Sequence, residues 1–434
     1  MDDPSLGADA LVDQAESVRA FLGLTQPQPT DRFFLVTGMT GSGKSTFVSM
    51  CTGQDAHISH GLCSCTKTIN VFPYADGRQR IYLVDTPGFN DTTRSDVDTL
   101  KILATYLGAS YANGVRIHGI IMLYPISNNR MSGSSLRSLA LLKSICGFTS
   151  YHNLGIVTTM WPQSPDSAEK ASLSDREAEL MTTQDFFGNL ISQGARLFRH
   201  YEEGHRNVAS QAASAQRIVR YLNRQLDSHV PSVLQLQREI VDEKKTLGQT
   251  VAGIAAANYL HQARQEHQQR LKDLRAEMTN ALVESDKEYA FQLRELKIEL
   301  KNKLHKTEID SQALTKTMAH FHEAETEALQ QRIVHLSQKF EAEVKTKEQE
   351  LQELRYSYNK LQQEVARLSQ QPQQQQTVTR RTIRHGQAIK SALRKAHKAR
   401  EEQRKFQTYA GDVVNGLTNG LTAGAASGGI AALE

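Results

Sequence analysis

The stretch GMTGSGKS (Gly38–Ser45) decides how the N-terminal half of this 434-residue chain is read. It fits the pattern G-x-x-x-x-G-K-[ST]. The apolar run FFLVT (Phe33–Thr37) precedes it and a helix-forming run, STFVSMC (Ser45–Cys51), follows, which is the strand–turn–helix setting the pattern needs. Glycines let the backbone turn tightly, so that successive N–H groups converge on a phosphate chain. The start of the following helix adds partial positive charge. Gly38, Met39, Thr40, Gly41, Ser42, Gly43, Lys44, Ser45 and Thr46 are therefore the candidate cradle. Lys44 is placed to neutralise the outer phosphates, and the Ser45 hydroxyl to ligate Mg²⁺.

A second motif works with the first. YLVDTPGF (Tyr82–Phe89) is a strand ending in Asp85, followed by Thr86, Pro87 and Gly88. An acid at the tip of a strand beside the phosphate strand holds Mg²⁺ through water, and the Gly88 N–H is placed to sense a γ-phosphate. Farther out, TKTINVF and RIYLVD flank YADGRQ, whose Asp76-Gly77 is a hairpin signal. HGIIMLY (His118–Tyr124) and LGIVTT (Leu154–Thr159) are apolar runs of strand length, separated by SSLRSLALLKSI (Ser134–Ile145) at helical spacing. Such alternation predicts an α/β domain, a mainly parallel sheet covered on both faces. ARLFRHYEEG (Ala195–Gly204) holds the candidate last strand, and Ala8–Leu22 reads as a short leading helix.

With GMTGSGKS, DTPG (Asp85–Gly88), GIIMLYPISNNRMSG and IVTTMW in hand, the chain resembles the fungal G-domain-containing P-loop GTPases, relatives of septin-like, immunity-associated and chloroplast-import (Toc-type) GTPases. The resemblance covers about Arg32–Leu226, with a looser match to about Gly253. It implies a Ras-like α/β P-loop NTPase domain with GTP and Mg²⁺ as ligands. It also implies that Thr66 is the switch threonine completing the Mg²⁺ shell. Lys44, Thr66 and Gly88 would then serve phosphoryl transfer to water. Taken alone, Thr66 reads equally as a β-prone residue before a strand.

Two departures matter. The segment that reads guanine in such proteins ends in an aspartate, TMWD in this family; here Thr159-Met160-Trp161 is followed by Pro162. A missing carboxylate removes a bidentate contact that sets base choice. Asp166 replaces it only if the loop folds back. Thr159 and Trp161 remain candidate base-side residues, with Trp161 either stacking on the base or packed in the core. The residue after DTPG is Phe89, where many Ras-like enzymes carry a water-orienting glutamine. Slow intrinsic hydrolysis is expected, stimulated by dimerisation or a partner, with Arg78, Arg94 and Arg130 as conceivable charge-stabilisers. Two alternatives stay open: a coiled-coil scaffold that binds nucleotide without turnover, and a P-loop ATPase.

Beyond Pro231 the texture changes. Phe340, Val344, Lys347, Leu351, Leu354, Tyr358, Leu361, Val365 and Leu368 alternate at steps of four and three, a coiled-coil pattern. It predicts self-association or pairing with another helix, hence a homodimer or another coiled-coil partner. Over Ser232–Gln370 an unbroken helix would run ~200 Å, and a hairpin is equally allowed. SQQPQQQQT (Ser369–Thr377) is low-complexity and expected to be disordered. Thr377–Phe406 carries ten bases against Glu401 and Glu402, a net +8 that leaves −4 for the rest of a chain whose total is +4. An acidic surface or a membrane is the partner this implies. Aromatic interleaving for base stacking is missing, so no nucleic acid is expected. Val413–Leu433 is uncharged, with glycines every four residues, and reads as a flexible tail or a membrane contact.

Cys51, Cys63, Cys65 and Cys146 fit no disulfide ladder or zinc knuckle, and the acidic N-terminus reads as no secretory signal. The expectation is a cytoplasmic protein, peripheral to a membrane if the tail makes contact. Its fold class is an α/β Ras-like P-loop NTPase domain followed by a long α-helical coiled coil. The expected divisions are an N-terminal extension 1–30, a G domain 31–228, a helical region 229–370, and a disordered Gln-rich and basic linker with a Gly-rich tail, 371–434.

Overall fold

The central strand explains the sheet. In the computed structural model, β1 (Asp31–Gly38) is buried along nearly its whole length because both of its faces are covered. Alternate side chains serve two cores. Phe33 and Leu35 pack with Phe21, Leu103 and Leu107. Phe34 and Val36 pack with Phe47, Val48, Val219 and Leu222 on the other side. Described residues are 8–25, 28, 30–54, 69–77, 79–91, 94–127, 131–162, 166–200, 208–226, 231, 233–283, 287–316, 318–367 and 372–426.

Around β1 the order is β2 (Asn70–Asp76), β3 (Gln79–Asp85), β1, β4 (Gly119–Pro125), β5 (Leu154–Thr159), β6 (Arg196–Arg199). Only β2 is antiparallel, joined to β3 by the expected Asp76-Gly77 turn, with Asp76 paired to Gln79. Strand order reverses at β1, which has β3 on one side and β4 on the other. In such sheets ligands bind outside the strand C-termini at that switch point. The helices are α1 (Ala8–Phe21), α2 (Lys44–Thr52), α3 (Asp96–Ala112), α4 (Gly133–Cys146), α5 (Ser167–Thr182) and α6 (Val208–Leu226).

The helical region is not one rod. α7 (Val251–Val283) and α8 (Lys287–Leu314) pair through their own cluster, Leu271, Leu274, Leu293 and Leu300, and through Arg264–Glu308 at 3.0 Å. α9 (Met318–Arg367) then pairs with α10 (Pro372–Ala426). Their contacts run in opposite directions: His322 meets the Leu417 carbonyl, Phe340 stacks on Phe406 at 5.4 Å, and Arg400 pairs with Glu348. The pair is an antiparallel hairpin.

The heptad expectation is met by a helix of the same chain, in the hairpin form, and the expectation of a disordered linker and tail is corrected. The heptad stripe is occupied within the chain: Phe340, Val344 and Leu351 are buried, and Leu354, Tyr358, Leu361 and Val365 are half-buried, while Leu368 lies outside the described residues. The segment expected as a disordered linker and loose tail is helical through Ala426. Pro372 starts that helix, where its missing N–H costs nothing. Ala396, Ala399, Phe406, Ala410, Val413 and Leu417 form its buried stripe. α10 also binds α1, where Arg19 lies over the Tyr409 ring and pairs with Asp412 at 2.9 Å. Gly416 packs so tightly on Leu24 that a Cβ would meet its side chain at 2.6 Å, which sets this part of the uncharged segment against protein rather than lipid. No helix among the described residues is long and apolar enough to cross a membrane.

Candidate nucleotide-binding site

The turn after β1 is built on glycines in conformations other residues avoid. Gly41 (φ 80°) and Gly43 (φ 90°) lie in the left-handed region. Gly43 is the N-cap of α2 and supplies no side-chain cap, so the first N–H groups of α2 face the tip of β1. Gly38 approaches the Leu123 carbonyl so closely that a Cβ would run into it.

Lys44 turns back into this cradle. It is buried, and its Nζ donates to the Met39 carbonyl at 2.9 Å and the Gly38 carbonyl at 3.4 Å. Burial lowers the pKa of its ammonium, and the charges of Asp85 and Asp91 oppose that shift. Ser45 Oγ donates to Asp85 Oδ2 at 2.9 Å, joining the two motifs across 40 residues. The Thr86 hydroxyl donates to the Val36 carbonyl at 2.8 Å and fixes the tip of β3.

The DTPGF segment runs along the glycine turn. The Thr40 N–H donates to the Phe89 carbonyl at 2.8 Å and the Phe89 N–H to the Gly38 carbonyl at 3.3 Å. Gly88 sits against the cradle: a Cβ there would lie 2.5 Å from Thr40 Oγ1, 2.6 Å from Thr40 N and 2.8 Å from Lys44 Nζ. Phe89 is buried in the core beside Met122 and Tyr124, where it lines a small apolar pocket behind the turn. Asp91, which sequence reasoning passed over, accepts from the Thr40 hydroxyl at 3.1 Å. Gly38 at the end of β1, the turn Met39, Thr40, Gly41, Ser42 and Gly43, and Lys44, Ser45 and Thr46 at the start of α2 thus lie together beside Asp85 and Gly88.

These residues suit a Mg²⁺-polyphosphate. The uncapped α2, the buried ammonium, the hydroxyl–carboxylate pair and a glycine that admits no Cβ would offer such a group donors, countercharge and a pair of oxygen ligands at one point. No group of three His, Cys, Asp or Glu side chains that could hold a metal occurs among the described residues. One hydroxyl and one carboxylate are the protein share that Mg²⁺ takes when phosphates and water complete its shell. Thr66, Arg78, Arg130, Cys63 and Cys65 lie outside the described residues. Cys51 and Cys146 are free and buried, with thiols raised to about 12 by desolvation.

The base side differs from expectation. The Thr159 hydroxyl donates to the Ser42 carbonyl at 2.9 Å, so it braces the turn. Met160 takes a left-handed conformation (φ 59°) that reverses the chain and directs the next residue inward. Trp161 is consequently only 6% exposed, its Nε1 donates to Thr158 Oγ1 at 3.1 Å, and the Arg199 guanidinium lies 4.6 Å over its ring. The stacking role is corrected: Trp161 is a core residue, and Met160, 48% exposed, is the apolar side chain at this tip. Asp166 does not return to the site. Its Oδ1 accepts from the Glu169 N–H at 2.7 Å and caps α5. The spacing Asp166-x-x-Glu169 is a capping-box signature and carried that signal in the sequence.

Residues 33–128 match the family described as 50S ribosome-binding GTPase. No curated protein matches the chain. Among solved structures, Toc33 from Arabidopsis thaliana in complex with Mg²⁺ and GMPPNP is 16% identical, covers 48% of this chain and 92% of its own, and has a TM-score of 0.36. A structure concerned with dimerization and the GTPase activity of the chloroplast translocon components atToc33 and psToc159 is 15% identical, covers 52% and 96%, and has a TM-score of 0.38. The cytosolic domain of the T. maritima FeoB iron transporter in a GDP form is 13% identical, covers 64% and 96%, and has a TM-score of 0.27. The chain carries an N-terminal α/β P-loop GTPase domain with a mixed sheet, followed by a mostly helical C-terminal region.

Proposed function

We propose that the protein is a GTP-binding nucleotide switch with slow hydrolysis, whose state is passed to its helical region through α3. The observation that carries this reading is the convergence of Lys44 Nζ, the Ser45–Asp85 pair and Gly88 on the open start of α2. Bound Mg²⁺ and triphosphate would supply the countercharge and the transferable phosphoryl group. Lys44 would exchange its two carbonyl partners for phosphate oxygens, Ser45 and Asp85 would hold the metal, and the Gly88 N–H would report the γ-phosphate. Thr66 is the proposed third metal ligand. The narrower kinship with fungal, septin-like and immunity-associated GTPases rests on the TMW segment and the run from Gly119 to Gly133.

Slow turnover follows from Phe89. Its side chain has no hydrogen-bonding atom and is buried, so it cannot orient an attacking water. Acceleration would come from a second molecule. Because the heptad stripe is occupied by α10, a homodimer would use another face.

The route to the helices starts at the DTPGF segment. α3 follows it directly, and its N-cap Ser95 donates to Asp310 of α8 at 3.0 Å. Tyr106 donates to Glu325 of α9 at 3.2 Å, and Lys101 lies over the Phe321 ring. Movement of Gly88 toward a γ-phosphate would therefore be felt by α8 and α9.

A second reading is favoured by Asp166: with its carboxylate spent on a helix cap, guanine loses its usual reader, and ATP becomes a competitor. Competition of GTP and ATP for a labelled GTP analogue separates the readings. Preference for GTP supports the switch, while equal or better competition by ATP refutes guanine selectivity. Phosphate release measured beside nucleotide retention then distinguishes slow hydrolysis from a scaffold that only binds. Fast turnover by dilute monomer would contradict the role assigned to Phe89.

A further inference from the structure

The outer face of α10 is left unused by the nucleotide site and by the packing of the helical region. At 3.6 residues per turn, Ile383, Lys390, Arg394, Arg404 and Lys405 fall on the side opposite Ala399, Phe406 and Ala410, the residues buried against the rest of the protein. Arg380, Arg384 and Lys398 flank that face, and all of these bases are exposed. No Asp or Glu occurs between residues 371 and 400. Lys398 and Lys405 have acidic neighbours one turn away, Glu402 and Glu401, and Arg400 pairs with Glu348. Arg380, Arg384, Lys390, Arg394 and Arg404 form no ion pair among the described residues. Because α10 is a continuous helix here, the bases form a straight strip about 38 Å long from Arg380 to Lys405.

We propose that this face of α10 docks on an anionic bilayer surface, lying on the membrane rather than entering it. The strip demands a polyanion along its length. A second copy of this chain does not offer one on its facing hairpin. The outward residues of α9 mix signs, with exposed Glu327 and Glu353 standing among Lys345 and Lys360, so they form no continuous acidic strip. Exposed apolar residues separate lipid from nucleic acid. Ile383 is 57% and Leu393 46% exposed among the bases, and no aromatic ring stands on the strip to stack on a base. Apolar side chains beside Lys and Arg, with the charges reaching outward from their aliphatic stems, are what an interfacial helix presents to anionic headgroups. The opposite face of the same helix carries Val413 and Leu417 into the core, so docking leaves the fold intact.

The full-length protein is floated with phosphatidylcholine vesicles, with and without phosphatidylserine, at low and high salt. Binding is expected only with phosphatidylserine, and high salt should release it. The triple variant Lys390→Gln, Arg394→Gln, Arg404→Gln should bind on the order of 100-fold more weakly, at about fivefold per base near an anionic surface. Its melting temperature and nucleotide binding should match wild type, since none of the three contacts either core. Ile383→Ser should weaken vesicle binding and leave binding to a duplex DNA probe unchanged. Absence of wild-type binding to phosphatidylserine vesicles would overturn the proposal, as would undiminished binding by the triple variant. Duplex DNA bound more tightly than vesicles, with Ile383→Ser indistinguishable from wild type, would assign the strip to nucleic acid instead.

Discussion

Gly88→Ala tests the joint between the two motifs. The added methyl would lie 2.5 Å from Thr40 Oγ1, 2.6 Å from Thr40 N and 2.8 Å from Lys44 Nζ, each well inside van der Waals contact. The threonine hydroxyl can rotate away. The Thr40 amide cannot do so easily, since it is part of the turn and donates to the Phe89 carbonyl. Relief requires the DTPGF segment to lift off the turn or the Lys44 ammonium to move, at the ~1–3 kcal/mol typical of an inserted methyl in packed surroundings. If that strain must be overcome to close on a γ-phosphate, triphosphate affinity falls about 5- to 150-fold. Diphosphate affinity should change far less, because the α2 amides and Lys44 still reach the β-phosphate once the segment has lifted. The assay is titration of fluorescent GTP and GDP analogues with Mg²⁺, with melting curves to confirm folding. Gly133→Ala, where a Cβ meets nothing within 4 Å, is the control and should alter neither affinity. Equal losses for GTP and GDP, or no loss at all, would refute the assignment of Gly88 as the γ-phosphate reporter.

Phe406→Ala should cost about 3–5 kcal/mol in denaturant unfolding, because the ring is fully buried and stacked on Phe340, whereas exposed Tyr356→Ala should stay within about 0.5 kcal/mol. A Phe406→Ala effect that depends on protein concentration would show that the stripe pairs between molecules. Acid should destabilise the sheet through His200, a buried imidazole next to Ser214 Oγ whose pKa is depressed to about 4 from 6.5 by desolvation and Arg217. The unfolded chain binds the proton first, so stability is full above 6.5 and is lost as pH falls from there toward 4, by about 2 kcal/mol between roughly pH 7 and pH 5. His118, which accepts from the Phe33 N–H and is likewise held near 4, adds in the same direction. His200→Gln should flatten the slope; an unchanged slope would remove His200 from the account.

Much of the sheet could be read from the chain because its strands are buried on both faces and appear as short apolar runs bounded by turn residues. GMTGSGKS and DTPG were legible because their chemistry depends on residues close in sequence. The orientation of Trp161 was not, since it hangs on the left-handed turn at Met160, and a methionine carries no signal for that conformation. α10 was misread because its opening glutamine tract is low in complexity and its last turns carry a glycine every four residues, which hid the good helix formers Gln, Arg and Ala between them and the stripe Ala396–Leu417 that partners cover. The heptads in α9 were visible, but a periodic stripe does not say which helix will cover it. The links from α3 to Asp310 and Glu325 join residues more than 200 positions apart and leave no local trace.

The most direct test of the central claim is Mg²⁺-dependent binding of a labelled guanosine triphosphate by wild-type protein and by Lys44→Ala. Loss of a charged hydrogen-bonding group from the cradle should weaken binding about 10- to 150-fold while leaving the fold intact. Equal binding by the two proteins, or binding that ignores Mg²⁺, would contradict the claim that the glycine turn, Lys44 and the Ser45–Asp85 pair together grip a polyphosphate.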